Sequence, residues 1–192
     1  MRKSVLAAVM TTAVLIGCSG DEPLPSVAIV GDSLTKFASD ELETELADDY
    51  RVRIDARDGL RIDQLIPVLS RLLDRDDERP QRVVINAGTN DAIQGYEGWQ
   101  AAFDEMWSMV EDRDCIVYVT IEEILDERPG ANGTAAAINR RIRELATAHP
   151  DRVVIADWAA QVEPAWLIDG IHALPEGQRV TAELVRDALD RC

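Results

Sequence analysis

The stretch at residues 27–35 constrains the fold of this 192-residue chain more than any other part of it. A short apolar run there ends abruptly in a polar turn, Val27-Ala28-Ile29-Val30-Gly31-Asp32-Ser33. A strand, a tight turn and a helix in this order place one side chain at the carboxyl edge of a sheet, where α/β proteins hold their ligands. Ser33 is then either a nucleophile at a helix N-terminus, whose N–H also helps to hold an oxyanion, or simply the N-cap of that helix.

Strand-like and helix-like segments alternate along the rest of the chain. Strands are predicted at residues 27–30, 50–56, 83–85, 115–121 and 153–156. Apolar residues at helical spacing predict helices at residues 37–46, 62–73, 99–110, 135–149 and 176–191, with Pro67 either kinking the second helix or delaying its start. Five strands alternating with helices predict an α/β fold, with a parallel sheet covered on both faces and a strand order of 2-1-3-4-5.

This strand order brings two polar loops together. The first and third strands are neighbours at the point where the order reverses, and ligands bind in the crevice at such a point. The loop after the first strand carries Asp32 and Ser33, and the loop after the third carries Asn90 and Asp91. We therefore expect the functional site between these two loops.

The chain has only two histidines as candidates for a catalytic base. His149 precedes Pro150 at a predicted helix end, which is typical of an exposed residue that compensates the helix dipole. His172 lies in the loop before the last helix, three residues after Asp169. A serine nucleophile needs a base, and the base needs an orienting carboxylate, which an aspartate three residues earlier supplies through a tight turn at Gly170.

Acyl transfer also requires donors for the developing negative charge. The candidates are the N–H of Ser33, the N–H of Gly59 after the second strand, and the side-chain amide of Asn90. Taken alone, Gly59 is typical of a turn and Asn90 of an Asx turn or helix cap. Together with Ser33, Asp169 and His172 they indicate a site for acyl transfer.

Four sequence blocks in this order resemble the SGNH/GDSL hydrolase family over residues 27–190. The blocks are Gly31-Asp32-Ser33-Leu34, Gly59, Gly88-Thr89-Asn90-Asp91 and Asp169-Gly170-Ile171-His172. The resemblance implies a flavodoxin-like three-layer α/β/α sandwich that uses no metal or other cofactor. It also implies Ser33 as nucleophile, His172 as base, Asp169 as its partner, and an oxyanion hole made by Ser33, Gly59 and Asn90.

The tail of the chain is similar to a narrower group within that family. The similarity rests on Asp157-Trp158, on residues 166–172 and on Gly177. These features resemble the SGNH domains of cell-wall O-acetyltransferases, which act outside the cytoplasm on peptidoglycan or related glycans. Trp166 either lines an acyl or sugar pocket or belongs to the core.

The N-terminus has the pattern of an export signal. Arg2 and Lys3 precede an apolar run at residues 5–17 that is too short to span a membrane comfortably. The run closes with Leu15-Ile16-Gly17-Cys18, which resembles a bacterial lipoprotein signal. The resemblance implies a signal peptide at residues 1–17, lipidation of Cys18, a tether at residues 18–25 and a hydrolase domain at residues 26–192. Ordinary secretion, with Cys18 lost or free, is the alternative.

Charge and cysteine content limit the partners and the compartment. A net charge of −16 argues against nucleic acid, because its phosphates would repel the chain. Export to an oxidising compartment predicts a disulfide between Cys115 and Cys192, at the edge of the sheet away from the site. Two buried free thiols are the alternative.

Taken together, these patterns predict a membrane-anchored serine esterase on the extracytoplasmic face of the cell envelope. Its expected partners are ester substrates, either small esters or O-acylated envelope glycans or lipids, and the membrane through the lipid anchor. Transfer of the acyl group to a sugar hydroxyl would use the same residues. The alternative is a non-catalytic lipoprotein that keeps the fold in order to bind a glycan or lipid.

Overall fold

A five-stranded parallel sheet forms the centre of the molecule, in a computed structural model that describes residues 23–74, 79–125 and 128–192. Its strands are β1 (Ser26–Gly31), β2 (Arg51–Ala56), β3 (Arg82–Asn86), β4 (Cys115–Val119) and β5 (Val153–Ala156). They lie in the order β2-β1-β3-β4-β5, which confirms the predicted topology. The predicted signal peptide, Cys18 and residues 19–22 of the predicted tether lie outside the described residues.

The sheet register aligns the loops that carry the candidate site. Gly31, the last residue of β1, pairs with Ala56 of β2 on one side and with Asn86 of β3 on the other. The loops after these three strands therefore leave the sheet at the same level. The chain enters β1 from residues 23–25 at the opposite edge.

Helices cover both faces of the sheet, as the sequence predicts. The helices are α1 (Ser33–Phe37), α2 (Ser39–Leu46), α3 (Ile62–Leu73), α4 (Thr89–Gln94), α5 (Trp99–Ser108), α6 (Asn132–Ala148), α7 (Trp158–Gln161) and α8 (Pro175–Asp190). Short 3₁₀ turns occupy Pro129–Ala131 and Pro164–Trp166. Buried apolar residues of α3 to α6 pack on one face, and those of α2 and α8 pack on the other.

Two local predictions differ from the structure. The helix predicted at residues 37–46 is α2, which begins at Ser39 after the buried Ala38, and a separate short helix, α1, precedes it and ends at Phe37. The Ser39 hydroxyl donates to the carbonyl of Thr35 where the two helices meet. Helix α3 begins at Ile62 and contains Pro67, so the alternative of a later start is wrong.

The predicted disulfide is present. Cys115 opens β4 and Cys192 follows α8, with their Cα atoms 5.6 Å apart and the sulfurs bonded. The bond ties the last helix to the amino end of a central strand, at the edge of the sheet opposite the β1–α1 turn. The alternative of two free thiols is therefore wrong.

Loss of this disulfide should lower stability without changing the chemistry at the distant site. Cross-linking residues separated by 77 positions restricts the unfolded chain, which corresponds to about 4 kcal/mol. The double variant Cys115→Ser/Cys192→Ser should therefore unfold at lower urea concentration than the wild type, by a free-energy difference of this order. Equal stability of the oxidised wild type and the double variant would contradict the prediction.

Candidate active site

The turn between β1 and α1 places Ser33 at the start of a helix. The Asp32 carboxylate accepts a hydrogen bond from the Leu34 N–H at 2.9 Å, so Asp32 is the N-cap and Ser33 is the first helical residue. The alternative that Ser33 is the N-cap is therefore wrong. Its hydroxyl is free of that role and points toward the loop that precedes α8.

Gly31 is required by the close approach of two neighbouring groups at this turn. A Cβ atom at position 31 would lie 2.0 Å from Oγ1 of Thr35 and 2.9 Å from the carbonyl oxygen of Asn86. The second contact is with backbone, which cannot rotate away. Glycine therefore lets α1 turn back tightly over the end of β1, and this fixes the position of Ser33.

Three side chains form a continuous hydrogen-bonded chain. Oγ of Ser33 lies 2.9 Å from Nε2 of His172, and Nδ1 of His172 lies 2.7 Å from Oδ2 of Asp169. With the proton on Nδ1, the imidazole donates to the carboxylate and leaves Nε2 to accept the serine proton. This is the geometry that nucleophile, base and orienting carboxylate require.

The loop at residues 167–173, called here the His172 loop, holds its own geometry. The other carboxylate oxygen of Asp169, Oδ1, accepts the backbone N–H groups of Ile171 and His172, at 3.1 and 2.8 Å. Gly170 between them has a φ of 75°, a left-handed conformation that favours glycine. The Ile168 N–H donates to the His172 carbonyl at 2.9 Å and closes the loop. The turn expected from the Asp-Gly-Ile-His spacing is therefore present.

The environment of Asp169 keeps its carboxylate ionised. Partial burial works against ionisation, but hydrogen bonds from the His172 backbone and imidazole outweigh it and hold the pKa of Asp169 below its usual range. An ionised carboxylate stabilises the imidazolium that forms when His172 accepts a proton. The electrostatics therefore suit a general base at His172.

Asn90 is held in the cleft by a residue of the serine turn. Its side-chain amide donates to Oδ2 of Asp32 at 3.1 Å, and an amide has a second N–H left for a ligand. Asp32 is completely buried, and burial raises its pKa to about 7 against the opposing effect of hydrogen bonds from Leu34 and Asn90. One carboxyl group thus caps α1 and orients a predicted oxyanion donor.

The loop carrying Gly59 is tied to the same helix as Asn90. Gln94, at the end of α4, donates from Nε2 to the carbonyl oxygen of Gly59 at 3.1 Å. Nη1 of Arg61 donates to Oε1 of Gln94 at 2.9 Å, and the Arg61 guanidinium lies 4.5 Å from the centre of the Tyr96 ring. Gln94 therefore links the loop that carries Gly59 to α4, the helix that carries Asn90.

These loops enclose one cleft of about 540 Å³. The residues that line it are Ser33, Lys36, Phe37, Asp58, Gly59, Asn90 and His172. The structure thus brings all predicted oxyanion donors, the nucleophile and the base together, with Asp169 behind His172.

Trp166 packs against Trp158, with ring centroids 6.4 Å apart, and is not among the lining residues. Among the residues that the structure describes, no group of three or more His, Cys, Asp or Glu side chains is placed to hold a metal ion.

Several site residues carry no distinct sequence signal. Phe37 has the spacing of a helix-core residue, yet 53% of its surface is exposed beside His172. Its spacing could have indicated this position, because a residue four positions after Ser33 lies on the same face of a helix. The contact of Gln94 with Gly59 spans 35 positions and two loops, and no local pattern predicts it.

The geometry defines the class of protein first. In serine hydrolases, a serine hydroxyl is hydrogen-bonded to an imidazole, a carboxylate orients that imidazole, and amide donors lie beside them. The cleft has this arrangement. The family follows from the sequence, because residues 29–180 match the profile of the GDSL-like lipase/acylhydrolase family. The chain belongs to this family and is an acylhydrolase. No curated protein sequence matches the chain significantly.

Solved structures of the same fold include enzymes that act on different esters. The chain aligns with the catalytic domain of peptidoglycan O-acetyltransferase A from Streptococcus pneumoniae at a TM-score of 0.72, with 22% identity, over 87% of this chain and 93% of that domain. An acetylxylan esterase from Geobacillus stearothermophilus aligns at a TM-score of 0.68, with 15% identity, over 86% of this chain and 94% of that chain. A lipase/acylhydrolase from Enterococcus faecalis aligns at a TM-score of 0.68, with 20% identity, over 88% of this chain and 97% of that chain.

Removal of the Gln94 amide should impair turnover more than substrate binding. Without its bond to the Gly59 carbonyl, the Gly59 N–H is less well placed for an oxyanion that exists only in the transition state. Gln94→Ala should lower kcat for a chromogenic acetate ester by about tenfold with little change in KM.

Gln94→Glu is the matched variant, because it keeps an oxygen for Arg61 but cannot donate to Gly59. It should lower kcat as Gln94→Ala does. A wild-type kcat for Gln94→Glu would count against this positioning role. So would a melting temperature so low that both variants are partly unfolded under the assay conditions, because unfolding would then account for the lower kcat.

Proposed function

We propose that this acylhydrolase is an extracytoplasmic serine esterase that works through an acyl-enzyme on Ser33. The observation that carries the proposal is the chain of hydrogen bonds from Ser33 through His172 to Asp169, at 2.9 and 2.7 Å. A binding protein without catalysis has no need of this alignment. The donors that face the same cleft give a developing oxyanion its partners.

The proposed reaction begins with attack of the Ser33 hydroxyl on the ester carbonyl. His172 takes the serine proton, and Asp169 fixes its tautomer and stabilises the imidazolium. The tetrahedral oxyanion is held by the N–H groups of Ser33 and Gly59 and by the amide of Asn90. His172 then protonates the departing alcohol, and the acyl group stays on Ser33. Water, activated by His172, releases the acid and restores the serine.

The proposed substrates are O-acylated compounds of the cell envelope, glycans or lipids, and small esters. Two of the structurally similar proteins are a peptidoglycan O-acetyltransferase and an acetylxylan esterase, and their acceptor or substrate is a glycan. If a sugar hydroxyl replaces water in the second step, the same residues transfer the acyl group instead of hydrolysing it. The chemistry at Ser33 is the same in both cases.

Substitution of the nucleophile tests the mechanism. Ser33→Ala should lower turnover of p-nitrophenyl acetate by at least about a thousandfold, because no other group in the cleft can form the acyl-enzyme. Ser33→Ala should also lose labelling by a fluorophosphonate probe while it keeps the circular dichroism of the folded protein.

Ser108→Ala, at the exposed end of α5, serves as the control and should keep both activity and labelling. A folded wild-type protein that neither reacts with the probe nor turns over any ester would instead support the non-catalytic alternative. An active Ser33→Ala variant would overturn the proposed nucleophile.

Export and anchoring form the second part of the proposal. Its support is the charged and apolar N-terminal pattern, the Leu-Ile-Gly-Cys ending at Cys18, and a disulfide of the kind that persists in oxidising compartments. Within the described ranges, no helix is both long and apolar enough to cross a bilayer. The proposed attachment is lipid on Cys18, with residues 18–25 as the tether.

Replacement of the lipidated cysteine should release the protein from membranes. In cells fed a labelled fatty acid, the wild type should carry the label and sediment with the membrane fraction. Cys18→Ser should lose the label and become extractable without detergent, while its activity on p-nitrophenyl acetate remains. Labelling or membrane retention of Cys18→Ser at the wild-type level would contradict the anchor.

A further inference from the structure

An exposed aromatic ring stands next to the catalytic base. Phe37 is the last residue of α1, one helical turn after Ser33, and its ring centroid lies 5.2 Å from that of His172. The side chain lines the cleft and is 53% exposed. A large apolar ring that stays exposed beside a reaction centre offers an uncovered surface to a ligand.

The chemistry determines which part of the substrate meets Phe37. When the tetrahedral intermediate collapses, Nε2 of His172 gives its proton to the oxygen of the leaving alcohol. That oxygen must therefore lie within hydrogen-bond reach of Nε2. The alcohol therefore leaves on the side of His172, which is the side on which the Phe37 ring lies.

Two charged side chains lie beside Phe37 in the cleft wall. Lys36 and Asp58 form an ion pair across the cleft, between α1 and the loop after β2, and both side chains are more than half exposed. Phe37 is the only large apolar side chain among the described residues that line this cleft. A substrate group beside Phe37 therefore meets one flat apolar surface and two charged groups.

We propose that Phe37 and the Lys36–Asp58 pair form the alcohol subsite of the enzyme and receive the pyranose ring of an acylated carbohydrate. This inference rests on the proposed esterase function. A pyranose has one face of C–H groups and a rim of hydroxyls. The C–H face packs on the Phe37 ring, and the hydroxyls hydrogen-bond to the Lys36 ammonium and the Asp58 carboxylate. Phe37 is then a specificity-determining residue.

The test compares three acetate esters that differ only in the alcohol. These are ethyl acetate, cyclohexylmethyl acetate and mono-O-acetylated methyl glucopyranosides. The wild type should have the highest kcat/KM on the sugar esters. Phe37→Ala should lower the ratio of kcat/KM for sugar ester to that for ethyl acetate by about tenfold, which is the size expected for loss of one aromatic contact.

Two further variants separate the ring from the ion pair. Phe37→Trp keeps a flat aromatic surface, so its ratio of kcat/KM for sugar ester to that for ethyl acetate should stay within about threefold of the wild-type ratio. Lys36→Met should reduce the preference for the sugar esters over cyclohexylmethyl acetate, because it removes a polar partner but keeps an apolar stem. A ratio unchanged in Phe37→Ala, or a wild-type preference for cyclohexylmethyl acetate, would overturn the carbohydrate subsite.

The outcomes distinguish this inference from the function on which it rests. Ethyl acetate turnover together with fluorophosphonate labelling of Ser33 supports the esterase, whatever happens at Phe37. Loss of both in the folded wild type overturns the esterase itself. A higher kcat/KM on ethyl octanoate or on phospholipid vesicles than on the sugar esters overturns the subsite alone, and indicates an acyl chain as the recognised group.

Discussion

The hydrogen bond between Ser33 and His172 joins parts of the chain that are 139 residues apart, and the site depends on it. Helices α2 and α8, which follow Ser33 and His172 in the chain, pack on the same face of the sheet. Leu42 of α2 and Val185 of α8 share one buried cluster, and Arg186 of α8 forms ion pairs with acidic residues at the end of α2. Packing away from the cleft thus supports the approach of Ser33 and His172.

A buried carboxyl group connects this arrangement to the oxyanion donors. Asp32 lies completely buried at the switch point of the sheet, where its ionised form is costly, and burial raises its pKa to about 7. The hydrogen bonds from Leu34 and Asn90 offset part of that cost. The same bonds position Ser33 and Asn90 relative to one another, so the protein gives up some stability at Asp32 for geometry in the cleft.

The sequence predicts the sheet, and it predicts the residues that the structure brings together in the cleft, because their signals are strong. β-branched runs buried on both faces specify β1, β3 and β4, and a chain with two histidines leaves few choices for a base. The break between α1 and α2, the Asp32–Asn90 bond and the Gln94–Gly59 bond follow from loop packing across the sheet edge. No periodicity encodes such contacts. Phe37 shows most clearly where sequence patterns fail, because its helical spacing is typical of a core residue while its ring is exposed in the cleft.

The entry of the chain into β1 determines where the proposed anchor would attach to the domain. Residues 23–25 join the sheet at the edge opposite the cleft. With the proposed anchor on Cys18, a tether of eight residues spans at most about 28 Å, and the strand adds about 20 Å. The proposed anchor would thus attach the domain at the edge of the sheet opposite the cleft and keep the cleft within a few tens of ångströms of the bilayer. Such a tether would restrict the enzyme to substrates in that layer of the envelope, whether they are glycans or lipids.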